Sequence, residues 1–259
     1  MIRLVYALRS DLGCVRTNNE DMILLNSDFY RDQFTDGSFP MTDFTRFETI
    51  VADGMGGHEG GEFASELAVQ SFDDFLNSLD ADLTPDQVIA ATKEWAQRTH
   101  ELILSKGREM PQYCNMGTTF VGLFSYDGKV FTINIGDSRL YRYREGILKQ
   151  ISEDHSMRNL TGDQSVKSNM IYNSLGAGDT VFADVSDVTE RILPDDHYLV
   201  CSDGVTDMLA DEQIDAIIEE SLAASESHMV LVDKIVEAAK AAGGKDNISA
   251  IWVTFTDKA

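Results

Sequence analysis

Several apolar, strand-like segments of this chain carry an aspartate at or just beyond one end. The segments 49–52, 131–135, 198–201 and 248–253 stand beside Asp53, Asp137, Asp203 and Asp246. An acidic pair, Glu20-Asp21, adds a further point near the N-terminus. Carboxylates that a fold collects from its strand ends repel one another unless a cation joins them. Hard divalent cations prefer such oxygen ligands, so the pattern predicts a site for Mg²⁺ or Mn²⁺.

Composition excludes several classes of protein. The 259 residues, of which 43% are hydrophobic, predict a single domain over residues 1–259 with a sizeable core. A net charge of −23 argues against nucleic acid and anionic membrane surfaces as partners. The three cysteines are too widely spaced for a disulfide framework or a zinc site. The start of the chain lacks the apolar region of a signal peptide, and no apolar run is long enough to span a membrane, so we expect a cytoplasmic protein.

Helical periodicity occurs in two consecutive pairs of segments. They are 62–79 with 84–107 and 211–222 with 227–242. The motif Thr84-Pro85-Asp86-Gln87 predicts a capping box, and Gly107 is interpreted as the residue that ends that helix. Strand patterns are 2–8, 22–26, 48–52, 119–125, 129–135, 139–143, 147–151, 180–186, 197–201 and 248–255. Paired helices favour antiparallel sheets over a doubly wound parallel sheet.

The sequence lacks the motifs of other hydrolytic and phosphate-binding sites. There is no Cys-x5-Arg loop, no Gly-x4-Gly-Lys-Ser/Thr loop, no His-Glu-x2-His and no Gly-x-Ser-x-Gly elbow. A lone Asp-Gly is usually only a turn, but unpartnered clustered carboxylates are costly, so the joint pattern favours one shared site. His58 is either an ordinary loop histidine or an acid–base group beside that site, and Arg16 taken alone is a surface arginine.

Seven short motifs together resemble the metal-dependent, type-2C serine/threonine protein phosphatases in their compact bacterial form. In chain order these segments are 16–21, 51–58, 116–119, 134–139, 154–156, 201–207 and 244–248. They cover almost the whole chain, and their joint order and spacing are very specific. The resemblance implies an α+β fold: a four-layer α-β-β-α sandwich of two face-to-face antiparallel sheets, with a helix pair on each outer side.

The same resemblance implies a reaction. Such enzymes hydrolyse phosphoserine and phosphothreonine in proteins at two Mn²⁺ or Mg²⁺ ions, where a bridging water becomes the nucleophile and no phosphoenzyme forms. The expected partners are phosphorylated proteins, including a bacterial serine/threonine kinase that the enzyme opposes.

Individual roles follow from the matched positions. Asp53 resembles the carboxylate that bridges both ions, and Asp203 and Asp246 resemble ligands of the first. The carbonyl of Gly54 and one acid of the Glu20-Asp21 pair resemble ligands of the second. Adjacent strand residues point to opposite faces, so only one of the pair should bind directly. We favour Asp21, with Glu20 acting through water.

Three further residues complete the expected site. Asp137, together with Asp203, resembles the pair that holds a third, weaker ion. Arg16 resembles the guanidinium that grips the substrate phosphate, a role that its planar fork suits. His58 stands where relatives have a histidine that transfers a proton.

Two segments depart from the family pattern, and two other functions stay open. Residues 28–47 lengthen the first hairpin; they form either an interaction element or a longer surface loop, and we favour the loop. The flap at 156–173 is short and lacks the usual basic residue before the next strand. A catalytically silent phosphoprotein-binding module would need the loss of an aspartate ligand, and none is lost. A phosphatase of small molecules would use the same chemistry with a different rim.

Overall fold

The computed structural model of this chain describes residues 3–42, 46–56, 59–163, 165–166 and 170–256. Its strands are β1 (Arg3–Asp11), β2 (Asp21–Leu25), β3 (Asp28–Tyr30), β4 (Phe34–Pro40), β5 (Glu48–Met55), β6 (Gly117–Thr118), β7 (Phe120–Tyr126), β8 (Lys129–Ile135), β9 (Arg139–Arg144), β10 (Ile147–Gln150), β11 (Asp184–Asp187), β12 (Asp196–Cys201) and β13 (Ile248–Thr256). Its helices are α1 (Glu59–Ser78), α2 (Pro85–Glu109), α3 (Met157–Thr161), α4 (Asp203–Thr206), α5 (Asp211–Ala223) and α6 (His228–Ala241).

The strands form two antiparallel sheets. The first has the order β10-β9-β12-β13-β1-β4, and the second has the order β11-β8-β7-β5-β2-β3, with β6 paired to β5. One apolar core contains side chains from both sheets, among them Leu8 of β1, Ile23 of β2 and Ile251 of β13. The two sheets therefore pack face to face.

The side chains of the central strands alternate strictly between the two faces of each sheet, and this alternation produces the layers. In β2 every residue is buried, with Ile23 and Leu25 in the core between the sheets and Met22 and Leu24 on the other face. Successive strand residues point to opposite faces, so a strand that is apolar at every position is covered on both. The central strands accordingly need a second layer outside each sheet.

Helix pairs supply that outer layer. Helices α1 and α2 cover the second sheet, where Phe72 packs edge to face against Trp95 at 4.7 Å and against Phe120 of β7 at 5.0 Å between ring centroids. Helices α5 and α6 cover the first sheet around the fully buried Trp252. The predicted four-layer α-β-β-α sandwich is confirmed.

Helix α2 begins as predicted but ends later. The amide of Gln87 donates to Oγ1 of Thr84 at 3.3 Å, and the Thr84 amide donates to Oε1 of Gln87 at 2.8 Å, which is the capping box. The assignment of Gly107 as the terminating residue is wrong, because the helix continues to Glu109. A Cβ at Gly107 would lie 3.1 Å from the carbonyl oxygen of Tyr113, so this glycine permits close packing inside the helix.

The segment that lengthens the first hairpin is not a loop. Residues 28–30 and 34–40 form β3 and β4, and β4 pairs with β1 from Arg3↔Pro40 to Arg9↔Phe34 as the edge strand of the first sheet. The loop interpretation is therefore wrong for these residues, whereas residues 43–45 lie outside the described part of the chain. Gly37 and Pro40 disguise the strand in the sequence, and both are tolerated because edge strands accept them. The predicted strand 180–186 is also displaced, since β11 begins only at Asp184.

Among the described residues, no helix is long and apolar enough to cross a membrane.

Glu48, the first residue of β5, makes stability depend on pH. It is 3% exposed and accepts a hydrogen bond from the Ser27 amide. Burial, with repulsion from Asp73 and Asp28, raises the pKa of Glu48 from 4.5 to about 7. A raised folded-state pKa contributes stability below the unfolded pKa, and this contribution is lost as pH rises through about 7. We therefore expect Glu48→Gln, which keeps the acceptor, to raise the melting temperature at about pH 8 and to change it little at about pH 5.

Thermal melts of both proteins across this pH range test the expectation. The difference in unfolding free energy should reach at most about 3 kcal/mol, the equivalent of the pKa shift. Glu101→Gln on the exposed face of α2 is the matched control and should not change the pH dependence. A Glu48→Gln protein whose melting temperature is no higher than that of the parent at the alkaline end contradicts the assignment.

Candidate metal centre

A cavity of about 200 Å³ opens at one end of the sandwich. Its lining residues are Arg16, Glu20, Asp53, Gly54, Met55, Gly56, Asp137, Ile171, Asp203 and Asp246. Seven of the nine residues predicted for the site from sequence are thus in one wall. Asp21 lies outside this lining, and His58 falls outside the described residues. A larger cavity of about 380 Å³ lies between α2 and residues 176–179, but Asp179 is its one lining carboxylate, so it lacks a carboxylate cluster.

Sheet register gathers the acids. Asp21 at the start of β2 is paired directly with Asp53 near the end of β5. Asp203 follows β12 and begins α4, and Asp246 precedes β13, the neighbour of β12 in the first sheet. Asp137 follows β8 of the second sheet. The end of the sandwich therefore receives carboxylates from both sheets.

The glycine after each Asp of the Asp-Gly pairs is required by close backbone approach. A Cβ at Gly54 would lie 2.2 Å from the carbonyl oxygen of Gly61, and a Cβ at Gly204 would lie 1.9 Å from that of Asn247. Neither glycine adopts a left-handed conformation, so the pairs are not simple turns. A side chain at either position would separate the segments that carry the acids.

Thr119 holds the backbone of Asp53. The Asp53 amide donates to Oγ1 of Thr119 at 3.0 Å, and the Thr119 amide donates to the carbonyl of Asp53 at 2.9 Å. The hydroxyl of Thr118 donates to the same carbonyl at 3.0 Å. These bonds leave the Asp53 side chain free to face the cavity. The sequence comparison contained Thr118 and Thr119 only as part of a motif and assigned them no role.

Asn247 joins two loops around the site, its own between α6 and β13 and the one between β1 and β2, and sequence reasoning assigned it no role. Its Oδ1 accepts from the Glu20 amide at 2.9 Å, and its Nδ2 donates to the carbonyls of Leu12 and Asn18, both at 3.0 Å. The signal for this role was its position directly after Asp246. Ile171, in the flap, lines the cavity and was also missed by sequence reasoning.

The carboxylates hold protons unusually strongly. Burial, with repulsion from neighbouring acids, raises the pKa of Asp21 to about 7, of Asp137 to about 8 and of Asp203 to about 6. The pKa of Asp53 is raised well above its ordinary value by the same two causes. A side-chain hydrogen bond with Asp53 offsets part of this rise in the pKa of Asp203. A bound cation would neutralise the repulsion among these carboxylates, so protons would no longer be needed to reduce it.

The Glu20-Asp21 pair divides into an outer and an inner acid. Asp21 is fully buried, and its Oδ2 accepts from the Ser202 hydroxyl at 2.9 Å, whereas its Oδ1 is a buried atom with no hydrogen-bond partner within 3.5 Å among the described residues. Glu20 lines the cavity wall. The orphan oxygen of Asp21 is what a cation or a cation-bound water would satisfy.

Arg16 reaches into the same cavity. Its guanidinium donates to Oδ2 of Asp246 at 2.6 Å, and 47% of its side chain is exposed. An ion pair this open to solvent stabilises little. A cation bound to Asp246 would compete with the guanidinium for this carboxylate. The Arg16 guanidinium would then be available to bind another anion.

The donor set fits a hard divalent cation. It consists of carboxylate oxygens, the type that Mg²⁺ and Mn²⁺ prefer, with an orphan oxygen among them. In the described part of the chain, no three His, Cys, Asp or Glu side chains are already arranged around one point.

Known proteins identify the family. A family model described as protein phosphatase 2C matches residues 32–250. The chain belongs to this family. The serine/threonine phosphatase stp of Listeria monocytogenes is 32% identical over 260 residues, which cover 95% of this chain and 93% of stp. The chain is a serine/threonine protein phosphatase, an enzyme that depends on a divalent metal.

Solved structures of phosphatases share the fold. The Streptococcus agalactiae serine/threonine phosphatase, at 24% identity, superposes with a TM-score of 0.79 over 97% of this chain and 99% of its own. The catalytic domain of PstP, whose structure is reported in complex with 2 manganese ions, has 25% identity and a TM-score of 0.73 over 99% and 100% of the two chains.

The raised pKa values predict how the metal-free protein responds to pH. Stability that the protonated acids contribute at low pH is lost as pH rises through about 6 to about 8. Asp53→Asn removes one charge from the cluster, so it should raise the melting temperature of the metal-free protein at about pH 8, by ~2–4 °C for each kcal/mol of repulsion relieved.

Melting of chelator-treated protein measures this effect. Asp127→Asn, at an exposed hairpin turn, is the matched change of charge and should leave the melting temperature nearly constant. If Asp53→Asn instead lowers the melting temperature at this pH, the cluster is not repulsive.

Proposed function

We propose that this phosphatase hydrolyses phosphoserine and phosphothreonine in proteins with two Mn²⁺ or Mg²⁺ ions held at the carboxylate cavity, and that residues 1–259 form one catalytic domain. The observation that carries the proposal is the convergence of Asp53, Asp137, Asp203 and Asp246 with Arg16 in one wall. When bound, the cations lower the pKa of water and neutralise charge on the phosphoryl oxygens.

Asp53 is suited to bridge two ions. It is paired with Asp21 on one side and hydrogen-bonded to Asp203 on the other, so its carboxylate stands between the two groups of acids. We assign Asp203 and Asp246 to the first ion. The carbonyl of Gly54 belongs to the second ion.

The acid that completes the second ion's ligands comes from the Glu20-Asp21 pair. The orphan Oδ1 of Asp21 supports a direct contact, with Glu20 acting through water. The place of Glu20 in the cavity wall supports the reverse arrangement. We assign the direct contact to Asp21, because a fully buried carboxylate oxygen without a partner is the costlier of the two to leave unsatisfied. Asp137 and Asp203 are assigned to a third, weaker ion.

Arg16 and His58 are assigned to the substrate. Arg16 is the cation in the lining of this cavity, and its fork can bind a phosphate bidentately. His58, four residues after Gly54, remains the predicted proton donor to the leaving oxygen. With a net charge of −23, the protein relies on Arg16 and the metal ions to attract a dianionic phosphate.

The biological partners follow from the reaction. The relative stp is named a serine/threonine phosphatase, which supports phosphorylated proteins as substrates here. We propose that a serine/threonine kinase of the same cell produces them, and that the enzyme works in the cytoplasm. The acidic surface is unsuited to nucleic acid or anionic membranes.

Turnover of a phosphothreonine peptide tests the assignment of the cavity. Activity should require Mn²⁺ or Mg²⁺ and disappear in excess EDTA. Asp203→Asn should lower kcat by ~10³-fold or more, because losing a ligand costs several kcal/mol of transition-state stabilisation. Asp179→Asn, in the larger neighbouring cavity, is the matched control and should leave kcat unchanged.

Three results would contradict this reading. They are full activity in excess EDTA, a near-normal kcat for Asp203→Asn, and a loss in Asp179→Asn that equals the loss in Asp203→Asn. Replacing the exposed Cys14 and Cys114 by Ser should preserve turnover, which separates metal from thiol chemistry. A panel of small phosphate esters, run beside the peptide, distinguishes a protein phosphatase from a small-molecule phosphatase.

Removing the guanidinium should act mainly on substrate binding. Arg16→Ala should raise KM for the phosphopeptide by ~10–100-fold, the value of a charge-assisted hydrogen bond, with a smaller change in kcat. Arg16→Lys should recover only part of the loss, because an ammonium cannot bind bidentately. Steady-state kinetics with Arg108→Ala as the exposed control arginine makes the measurement. A large fall in kcat at constant KM would place Arg16 in the chemical step.

A further inference from the structure

His155 is a buried side chain beside the cavity to which the proposed mechanism gives no part. It is 2% exposed and lies between β10 and α3. Its ring packs against Phe182 at 4.6 Å and Tyr172 at 5.9 Å between centroids. Burying a polar ring costs free energy unless its nitrogens are hydrogen-bonded, so its partners indicate what it does.

Both backbone groups of Gly136 are bonded to His155. The Gly136 amide donates to Nδ1 of His155 at 3.1 Å, and the His155 amide donates to the carbonyl of Gly136 at 2.9 Å. Gly136 directly precedes Asp137 and has a φ of +113°, a conformation that favours glycine. His155 thus fixes the turn at the residue that sets the position of the Asp137 side chain, where Nδ2 of Asn134 makes only a longer contact with the Gly136 carbonyl at 3.5 Å.

The residues after Asp137 are held as well. The hydroxyl of Ser138 is 2.7 Å from that of Thr119, and the guanidinium of Arg139 donates to Oδ2 of Asp154 at 2.7 Å. With its C-terminal side fixed in this way, Asp137 can still shift through Gly136. The contacts of Gly136 with His155 therefore complete the placement of Asp137.

Hydrogen bonds define a single tautomer of His155. Phe182 donates its amide to Oδ1 of Asn173 at 3.1 Å and accepts from Nδ2 of Asn173 at 2.9 Å, which fixes the orientation of that amide. Nδ2 of Asn173 is then the donor to Nδ1 of His155 at 2.7 Å. Because Nδ1 receives two N–H donors, the ring proton is on Nε2, which donates to Oδ2 of Asp184 at 3.1 Å.

The same residue is bonded to the flap. The amide of Tyr172 donates to the carbonyl of His155 at 3.0 Å, and the next residue towards the N-terminus, Ile171, lines the carboxylate cavity. One side chain and its backbone therefore connect the turn before Asp137, the flap wall and β11.

We propose that His155 is a positioning residue for Asp137: its neutral imidazole, anchored by Asp184, holds Gly136 so that Asp137 can complete the third, weakest cation site. The inference rests on the proposed function, in which Asp137 is a cation ligand. Residues that orient metal ligands in this way typically change metal affinity or activity by ~10–100-fold when replaced.

Calorimetric titration of Mn²⁺ into the full chain tests the proposal without turnover. His155→Ala should weaken the weakest class of Mn²⁺ sites by ~10–100-fold. His155→Asn should recover most of the affinity, because its Oδ1 can replace Nδ1 as acceptor for the Gly136 amide. Asp137→Ala should remove this class, and His155→Ala should have no further effect in that background.

Hydrogen exchange of the metal-free protein gives a second readout. The Gly136 amide should lose protection in His155→Ala and keep it in His155→Asn. If His155→Ala does not fold, Asp184→Ala decides: Asp184 is 58% exposed, and removing it should weaken the same class of sites by a few-fold. His100→Ala is the matched control, since His100 is 3% exposed and its Nδ1 accepts from the Gly176 amide at 3.1 Å. It should lower the melting temperature without changing Mn²⁺ binding.

The possible failures are distinct. Unchanged Mn²⁺ binding in Asp137→Ala would overturn the assignment of Asp137 and the inference with it. If Asp137→Ala weakens binding, three results overturn the inference alone. These are an unaffected His155→Ala or Asp184→Ala, an effect of His155→Ala that persists in the Asp137→Ala background, and an equal effect of His100→Ala.

Discussion

Mutual repulsion among buried carboxylates is the constraint on which the rest of this structure depends. Asp21, Asp53, Asp137 and Asp203 lie at the end of the core between the sheets, and their burial raises every one of their pKa values. Such a cluster costs stability in a metal-free protein at neutral pH, so the fold around it must hold the acids in place. A divalent cation bound among the carboxylates replaces their mutual repulsion by attraction to the cation. The arrangement that destabilises the metal-free protein is therefore the one that binds metal.

Backbone contacts provide the rigidity that the cluster needs. Gly54 and Gly204 permit chain segments to approach without a side chain between them, and the Asn247 amide ties its own loop to three points of the β1–β2 loop. Thr119 fixes the backbone of Asp53 from the neighbouring strand end. Apart from the Gly54 carbonyl, none of these groups is assigned to a cation or a phosphate, yet each residue determines where an acid stands.

The Asp137 side of the cavity is built differently from the Asp53 side. Asp53 belongs to β5 and is held by strand pairing, whereas Asp137 lies in a turn after β8. A turn has fewer backbone bonds to define it, and here His155 supplies two: its Nδ1 accepts from the Gly136 amide and its own amide donates to the Gly136 carbonyl. Because His155 also bonds the flap, the placement of Asp137 and of the flap wall are connected through one residue.

The sequence by itself determined the layers and most of the site. The apolar strand patterns at 22–26 and 248–255, two helix pairs and the Thr84 capping box were readable because they are local patterns of burial and hydrogen bonding. Aspartates at the ends of apolar runs gave the positions that converge at the cavity. Local sequence patterns led to wrong predictions where the role of a residue depends on a distant contact. Gly107 resembles a helix end, but it permits close packing against Tyr113. Residues 34–40 were interpreted as a loop, but they pair with β1. Tertiary structure alone decided that Asp21 is behind the wall, that Asn247 binds the β1–β2 loop and that His155 holds Gly136. Those contacts join residues far apart in the chain, and no spacing along a sequence encodes which distant groups a fold will bring within hydrogen-bonding distance.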